Sequence, residues 1–201
     1  MRALIVAAGL VVGSFPSAFA QEDMPDQEER AQTQDARSQQ LEVLLKKLLS
    51  AVRAEKADTA NEALRSLIPS KGAVEAALTK EGFAALGGAI QASSKETFGS
   101  GPEQALKHLA LSPELRKVDV FSATTEDLLS METETTAARE FASGLRTVAA
   151  HLKPGETFYC AHLYPRDAKD DPRAGTRLQV FFFHEDRFVY LGPLWKLAEP
   201  K

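Results

Sequence analysis

The chain has 201 residues, of which 44% are hydrophobic, and a formal net charge of −4 at pH 7. The negative charge is concentrated in residues 21–36, which hold six acidic residues and one basic residue, whereas residues 37–201 hold 22 of each. The body of the protein therefore lacks the basic excess that nucleic-acid binding requires. Its one cysteine, Cys160, excludes an intramolecular disulfide, so packing must stabilise the fold.

The first 20 residues have the pattern of a cleavable secretory signal peptide. Arg2 supplies a positive charge, residues 3–12 are an uninterrupted apolar run, and Ala18 and Ala20 put small residues at the positions that a signal peptidase reads. The run has ten residues, which is too short for a bilayer span of about 20 residues. We therefore expect an exported protein, periplasmic or extracellular, that begins near Gln21 and has no membrane span after cleavage.

Residues 21–36 form an acidic segment behind the predicted cleavage site. Met24 is its one large apolar residue, so ordering the segment would bury too little apolar surface to offset the lost conformational entropy. We predict a disordered acidic tail, which is either a spacer left by processing or a charged tether. A single folded domain is expected over residues 37–198.

Apolar residues recur at spacings of three and four through the first half of the body, as they do in amphipathic helices. The first predicted helix covers residues 37–56 and has an apolar face of Leu41, Leu44, Leu45, Leu48 and Val52. Thr59 and Glu62 have the spacing of a capping box, which predicts the start of the second helix, and Pro69 ends it. Ser70 can cap a third helix. Further helical segments are predicted over residues 82–97, 103–110, 124–129 and 141–152.

Apolar runs of strand length follow. Strands are predicted around residues 118–121 and over residues 158–164, 177–183 and 188–195. A long polar loop covers residues 165–175. Helices followed mostly by antiparallel strands predict an α+β fold, with N-terminal helices packed on one face of a C-terminal antiparallel sheet of about four strands.

The last two predicted strands form a hairpin that is apolar on both faces. With Glu185 and Asp186 as a two-residue loop, one face pairs Phe182 with Val189 and Val180 with Leu191. The other face carries four aromatic residues: Phe181, Phe183, Phe188 and Tyr190. A half-solvated strand alternates with polar residues, so the aromatic face needs cover from another part of the chain, a ligand or a partner. Glu-Asp is, however, a poor sequence for a primed hairpin turn.

Four segments carry a resemblance to other proteins: EFASG (140–144), LKPG (152–155), TFY (157–159) and YLGPLWK (190–196). Over residues 137–197 the chain resembles a group of uncharacterised, often exported bacterial proteins that end in a strand hairpin with a Leu-Gly-Pro-hydrophobic-Trp-basic motif. It departs from them at residues 184–186, where an Asp-Gly turn is usual, and in a longer loop at residues 166–174. The helices-then-sheet order is also similar to the nuclear transport factor two cone fold, which hosts enzymes and non-catalytic modules alike.

Cys160 and His162 lie two residues apart on a predicted strand, so both side chains point to the same face. They could be two metal ligands, or a nucleophile and its base, but no other residues at a recognisable spacing complete either site. The alternative is a buried cysteine beside a hydrogen-bonded histidine. His108, His151 and His184 lie near helix ends or at the hairpin turn, where histidine more often contacts terminal carbonyls.

The paired carboxylates Glu132 and Glu134, and Asp170 and Asp171, lie in polar segments. Acid–base catalysis would need an apolar site that raises one pKa, so we predict that these residues are solvated. Asp167, Asp170 and Asp171 lack the spacing of a calcium loop. The chain has no nucleophile elbow, phosphate-binding loop or zinc motif, and we predict no catalytic residue, metal or cofactor.

Three functional hypotheses remain. The first is an exported, non-catalytic module that binds a partner protein or an envelope component. The second is a small-molecule binder or enzyme with an aromatic pocket, and the third is a structural envelope protein. An open pocket favours the second, and a large exposed aromatic face favours the first. The candidate ligand or partner residues are Phe181, Phe183, Phe188, Tyr190, Cys160 and His162.

Trp195 is the only tryptophan of the chain. It follows the last predicted strand, where it either closes one end of the core beneath the first helices or forms an exposed binding anchor of the kind found at interface hot spots.

Overall fold

The computed structural model of the chain describes residues 27–130, 135–166 and 175–198. Several sequence predictions concern residues outside these ranges: the signal peptide, residues 21–26 of the acidic tail, and the carboxylates Glu132, Glu134, Asp167, Asp170 and Asp171.

In the described part of the chain, five helices precede the first strand, and further helices lie between the first two strands and after the last strand. The first five helices are α1 (Gln27–Arg53), α2 (Ala57–Ser66), α3 (Lys71–Ala77), α4 (Lys80–Phe98) and α5 (Pro102–His108). They are followed by β1 (Leu115–Thr124), α6 (Thr125–Ser130), α7 (Thr136–Glu140) and two 3-10 helices, Ser143–Thr147 and Ala149–His151. The chain then forms β2 (Thr157–Pro165), β3 (Thr176–His184), β4 (Arg187–Tyr190) and α8 (Leu194–Leu197).

The four strands form one antiparallel sheet in the order β1-β2-β3-β4. This confirms the α+β fold class. The register between β2 and β3 shifts by one residue: Tyr159 lies opposite Phe181, but the next residue, Cys160, lies opposite Gln179. Val180 is therefore the extra residue of a β-bulge on β3.

Both faces of the sheet are covered by helices of this chain. On one face α1, α2 and α5 pack over a cluster that includes Tyr159, Phe181 and Phe188. On the other face α3, α4, α6, α7 and the 3-10 helices pack over a cluster that includes Phe158 and Phe182. The prediction of helices on one sheet face was therefore wrong. The leucine residues of α1 and the aromatic face of the hairpin belong to the same core cluster.

Two helix starts differ from the sequence prediction. Helix α1 begins at Gln27 and so extends ten residues into the segment predicted to be a disordered tail. Those residues include Gln, Glu, Ala and Arg, which favour helices. Helix α2 begins before Thr59, with Lys56 as its N-cap and no side-chain cap bond, so the predicted capping box was wrong. Glu55 turns the chain with φ +54°, and the second helix starts directly after that turn.

Side-chain caps are present at the next two helices. The Ser70 hydroxyl accepts a hydrogen bond from the Ala73 amide at 3.1 Å, as predicted for α3. The Thr79 hydroxyl accepts from the Gly82 amide at 2.9 Å and caps α4. The predicted helix over residues 141–152 is instead the pair of short 3-10 helices.

The predicted register of the final hairpin is confirmed at the pairs Phe181–Tyr190, Phe182–Val189 and Phe183–Phe188. Glu185 and Asp186 have φ values of +48° and +60°, as a type I′ turn requires. The last strand ends at Tyr190 and not at Trp195. Gly192 has φ +82° and Pro193 has no N–H to donate, so the chain leaves the sheet there and Trp195 lies in α8.

Candidate functional site

The six candidate residues do not lie together. Phe181, Phe183, Phe188 and Tyr190 belong to the sheet face that α1, α2 and α5 cover, whereas Cys160 lies in the cluster on the opposite face. His162 also lies on that opposite face, since it follows Cys160 by two positions on β2.

The four aromatic residues of the hairpin are packed among themselves and beneath α1. Ring centroids are 5.1 Å apart for Phe181 and Tyr190 and 5.0 Å apart for Phe183 and Phe188. Phe181 is 0% exposed and Phe188 is 4% exposed. The guanidinium of Arg37 on α1 lies 4.6 Å from the centre of the Phe183 ring. Phe181 and Phe188 are therefore interior residues, whereas Phe183 and Tyr190 are half-buried at the edge of this face.

Tyr159 places a buried hydroxyl in the same face. Its side chain is 0% exposed and packs edge-on against Phe188 at 5.2 Å. Among the described residues no group forms a hydrogen bond of normal geometry with this hydroxyl. Burial raises the pKa of Tyr159, and the nearby Arg37 charge offsets part of that increase.

Cys160 and His162 converge on one backbone carbonyl, that of Glu140 at the end of α7. The Cys160 thiol donates to this oxygen at 3.6 Å, His162 Nε2 lies 3.4 Å from it, and the Gln179 amide donates to it at 3.1 Å. The Gln179 side-chain oxygen in turn accepts from the Ala142 amide at 2.7 Å. Three side chains of β2 and β3 thus bond the end of α7, whose last carbonyls have no partner within the helix.

The electrostatic environment of this cluster disfavours nucleophilic chemistry. Burial, reinforced by the Glu140 charge, strongly raises the pKa of the Cys160 thiol, and a thiol must ionise to act as a nucleophile. Burial and the Arg177 charge lower the pKa of His162, against the opposing effect of Glu140. Within the described ranges no three His, Cys, Asp or Glu side chains are grouped as a metal site. The contacts of Cys160, His162 and Gln179 with the Glu140 carbonyl anchor α7 to the sheet.

An open cleft with a volume of about 380 Å³ lies where the end of α5, the first half of β3 and α8 meet. We call it the Trp195 cleft. Two aromatic residues, Tyr190 and Trp195, line it together with two basic residues, Arg177 and Lys196. None of the described residues that line it is acidic.

Tyr190 is the one sequence-predicted candidate that lines the Trp195 cleft. Burial raises the pKa of its hydroxyl to about 12, and a hydrogen bond from the Gln179 backbone amide opposes part of that rise. No sequence pattern marks Arg177, Gln179 or Lys196 as site residues. Three segments that are distant in the sequence build the cleft, so no local motif marks it.

No helix in the described parts of the chain has both the length and the apolar character of a membrane span. Comparison with known proteins gives no match: no protein-family model, no curated protein and no solved structure is significantly similar to this chain.

Proposed function

We propose that this chain is an exported, non-catalytic binding module that holds its ligand in the Trp195 cleft. The observation that carries the proposal is the convergence of two aromatic and two basic side chains, Tyr190, Trp195, Arg177 and Lys196, on one open cleft. Aromatic residues and arginine are enriched where proteins bind partners.

The burial and hydrogen bonding of Cys160, the candidate nucleophile, support a non-catalytic role. Cys160 is 0% exposed, and its thiol donates to the Glu140 carbonyl. His162 also contacts Glu140, with its Nδ1 atom 3.6 Å from a carboxylate oxygen. Both groups are thereby engaged in holding α7, on the sheet face opposite the hairpin aromatics.

A small-molecule ligand is the second candidate, and the size of the cleft favours it. A volume of about 380 Å³ falls within the range of roughly 300–1,000 Å³ that is typical of ligand pockets. Such a ligand would contact Trp195 and Tyr190 at the edge of the sheet. It would not enter the sheet–helix interface, which the aromatic side chains fill.

Trp195 makes the proposal testable, because the only tryptophan of the chain reports directly on the cleft. Short peptides and small carboxylic acids should be titrated into the mature chain while its fluorescence is followed. We expect a saturable change in emission, and about tenfold weaker binding to Lys196→Glu. The charge-matched control is Lys56→Glu, because Lys56 is exposed and does not line the cleft. A response that is equal in both variants would contradict the proposal.

Export is tested separately by mass spectrometry of the protein from its native host. The predicted signal peptide supports it. We expect a mature N-terminus at Gln21, in part cyclised to pyroglutamate. A mature protein that retains residues 1–20 would overturn the export proposal and leave the cleft proposal intact.

A further inference from the structure

Two open depressions lie side by side where α2 and α4 end and α5 begins, and together we call them the Phe98 groove. Their volumes are about 200 Å³ and 350 Å³, and Ile68, Phe98 and Gly99 line both of them. The groove shares no lining residue with the Trp195 cleft. It is therefore a separate surface.

The floor of the Phe98 groove is apolar. Ile68 and Phe98 are half-buried, so each keeps part of its side chain accessible. Pro69 and Pro102 extend the apolar surface into the two depressions. Phe98 also packs against the core cluster beneath α1, which holds the centre of the floor in place.

The rim of the groove is basic. Arg65 lines one depression and Lys71 and Lys95 line the other, and none of the described lining residues is acidic. Lys71 pairs with Glu75 at 3.4 Å. Within the described parts of the chain, neither Arg65 nor Lys95 forms an ion pair. Two cations thus flank an accessible apolar floor.

We propose that the Phe98 groove docks a segment of a partner protein in which large apolar side chains are flanked by Asp or Glu. The apolar side chains fill the two depressions over Ile68 and Phe98, and the carboxylates face Arg65 and Lys95. The two depressions lie side by side on an open surface, so one extended segment can place a side chain in each. Apolar anchors laid into an open groove are a common mode of peptide recognition, and complementary charges set its specificity.

The test is a selection of random dodecapeptides, displayed on phage, against the mature chain. We expect the recovered peptides to be enriched in Leu, Ile or Phe with neighbouring Asp or Glu. Their synthetic versions should bind about tenfold more weakly to Arg65→Glu/Lys95→Glu. Arg65→Gln/Lys95→Gln, which keeps both side chains polar, should show a smaller loss and remains informative if the first variant does not fold.

Lys56→Glu is the matched control, because this exposed lysine lines neither the Phe98 groove nor the Trp195 cleft. It should leave peptide affinity unchanged. No enrichment, recovered peptides without an acidic excess, or equal affinity for the wild type and both groove variants would overturn the proposal. Loss of affinity in Lys196→Glu alone would assign the peptides to the Trp195 cleft and overturn the groove as their site.

Discussion

Trp195 packs directly against the backbone of Gly144. A Cβ atom added at Gly144 would lie 2.7 Å from Trp195 Cδ1 and 2.8 Å from its Cγ. The indole is thus held by the first 3-10 helix, and it also lines the open cleft. Trp195 was predicted to be either a residue that closes the core or an exposed binding anchor. It has features of both, because it packs against the core and is still partly accessible to solvent. The core-closing interpretation placed Trp195 beneath the first helices, but it packs against the cluster on the other face of the sheet.

Gly144→Ala should move Trp195 away from its position on the 3-10 helix. The added methyl group overlaps the indole, and overpacking of this kind costs roughly 1–3 kcal/mol of unfolding free energy. Urea unfolding measures the loss, and a red shift of the tryptophan emission reports the displacement. Gly88→Ala is the control, because a Cβ there meets no atom within 4 Å and alanine favours a helix interior by about 1 kcal/mol. Unchanged stability and emission in Gly144→Ala would refute the contact.

Gln179→Ala should destabilise the junction between α7 and the sheet. Gln179 is 5% exposed, and its side chain bonds both the Glu140 carbonyl and the Ala142 amide. Leaving a buried polar group without a partner costs about 1–3 kcal/mol. Urea unfolding should show this loss, whereas Gln39→Ala on the exposed part of α1 should have almost no effect. Equal stability of the two variants would show that the junction does not depend on Gln179.

The hairpin, and the cluster that Cys160, His162 and Gln179 form around the Glu140 carbonyl, show what could and could not be predicted from the sequence. The register of Phe181, Phe182 and Phe183 followed from a two-residue loop, since side chains alternate strictly along a strand. The acceptor shared by Cys160 and His162 is a backbone carbonyl, which any residue carries, so no sequence pattern marks it. The shared face of the two side chains was predictable, but their partner was not.

The cover of the aromatic face could be predicted only in part. The apolar pattern of the hairpin indicated that both of its faces need cover, because residues 180–183 and 188–191 are all apolar or aromatic. It could not show that α1 lies on one face and α4 on the other. Which helix covers which face depends on chain connectivity and on how the helices pack against each other. The spacing of apolar residues along the sequence contains neither kind of information.

Cys160 should resist alkylation in the native state. Its thiol is 0% exposed, and burial strongly raises its pKa, so little thiolate forms and reagents have no access. Iodoacetamide labelling followed by mass spectrometry should be slow in buffer and rapid in urea. The labelling rate should follow the unfolded fraction across the urea transition. Fast labelling of folded protein would instead make Cys160 a reactive thiol and reopen the catalytic hypothesis.

Asp186→Gly should stabilise the hairpin. Asp186 has φ +60°, a conformation that glycine adopts without steric strain, and Glu-Gly suits the type I′ turn better than Glu-Asp. We expect a net gain of up to about 1 kcal/mol in urea unfolding, because the relief of left-handed backbone strain, about 1–2 kcal/mol, exceeds the entropic cost of ordering a glycine, roughly 0.5–1 kcal/mol. Asp186→Val is the contrasting variant, since a β-branched residue is strained at positive φ. A stability order with Val above Gly would show that the turn geometry is wrong.

His162 should make stability depend on pH in a narrow range. Burial and then the Arg177 charge lower its pKa below the ordinary 6.5, while Glu140 and Asp119 oppose them. Between the lowered folded pKa and 6.5 the unfolded chain binds more protons than the folded one, so stability rises with pH. This contribution is complete above about pH 6.5 and is lost as the pH falls below that value.

Urea unfolding of the wild type and His162→Gln at several pH values between about 5.5 and 7.5 tests this dependence. The wild type should become less stable as the pH falls, because protonating His162 places a charge in a partly buried site that also feels the Arg177 charge. His162→Gln cannot protonate and should show a flatter profile. His108→Gln, a change at an exposed histidine, should keep the wild-type slope. If His162→Gln retained the wild-type slope, or if the wild type gained stability on acidification, the lowered pKa of His162 would be refuted.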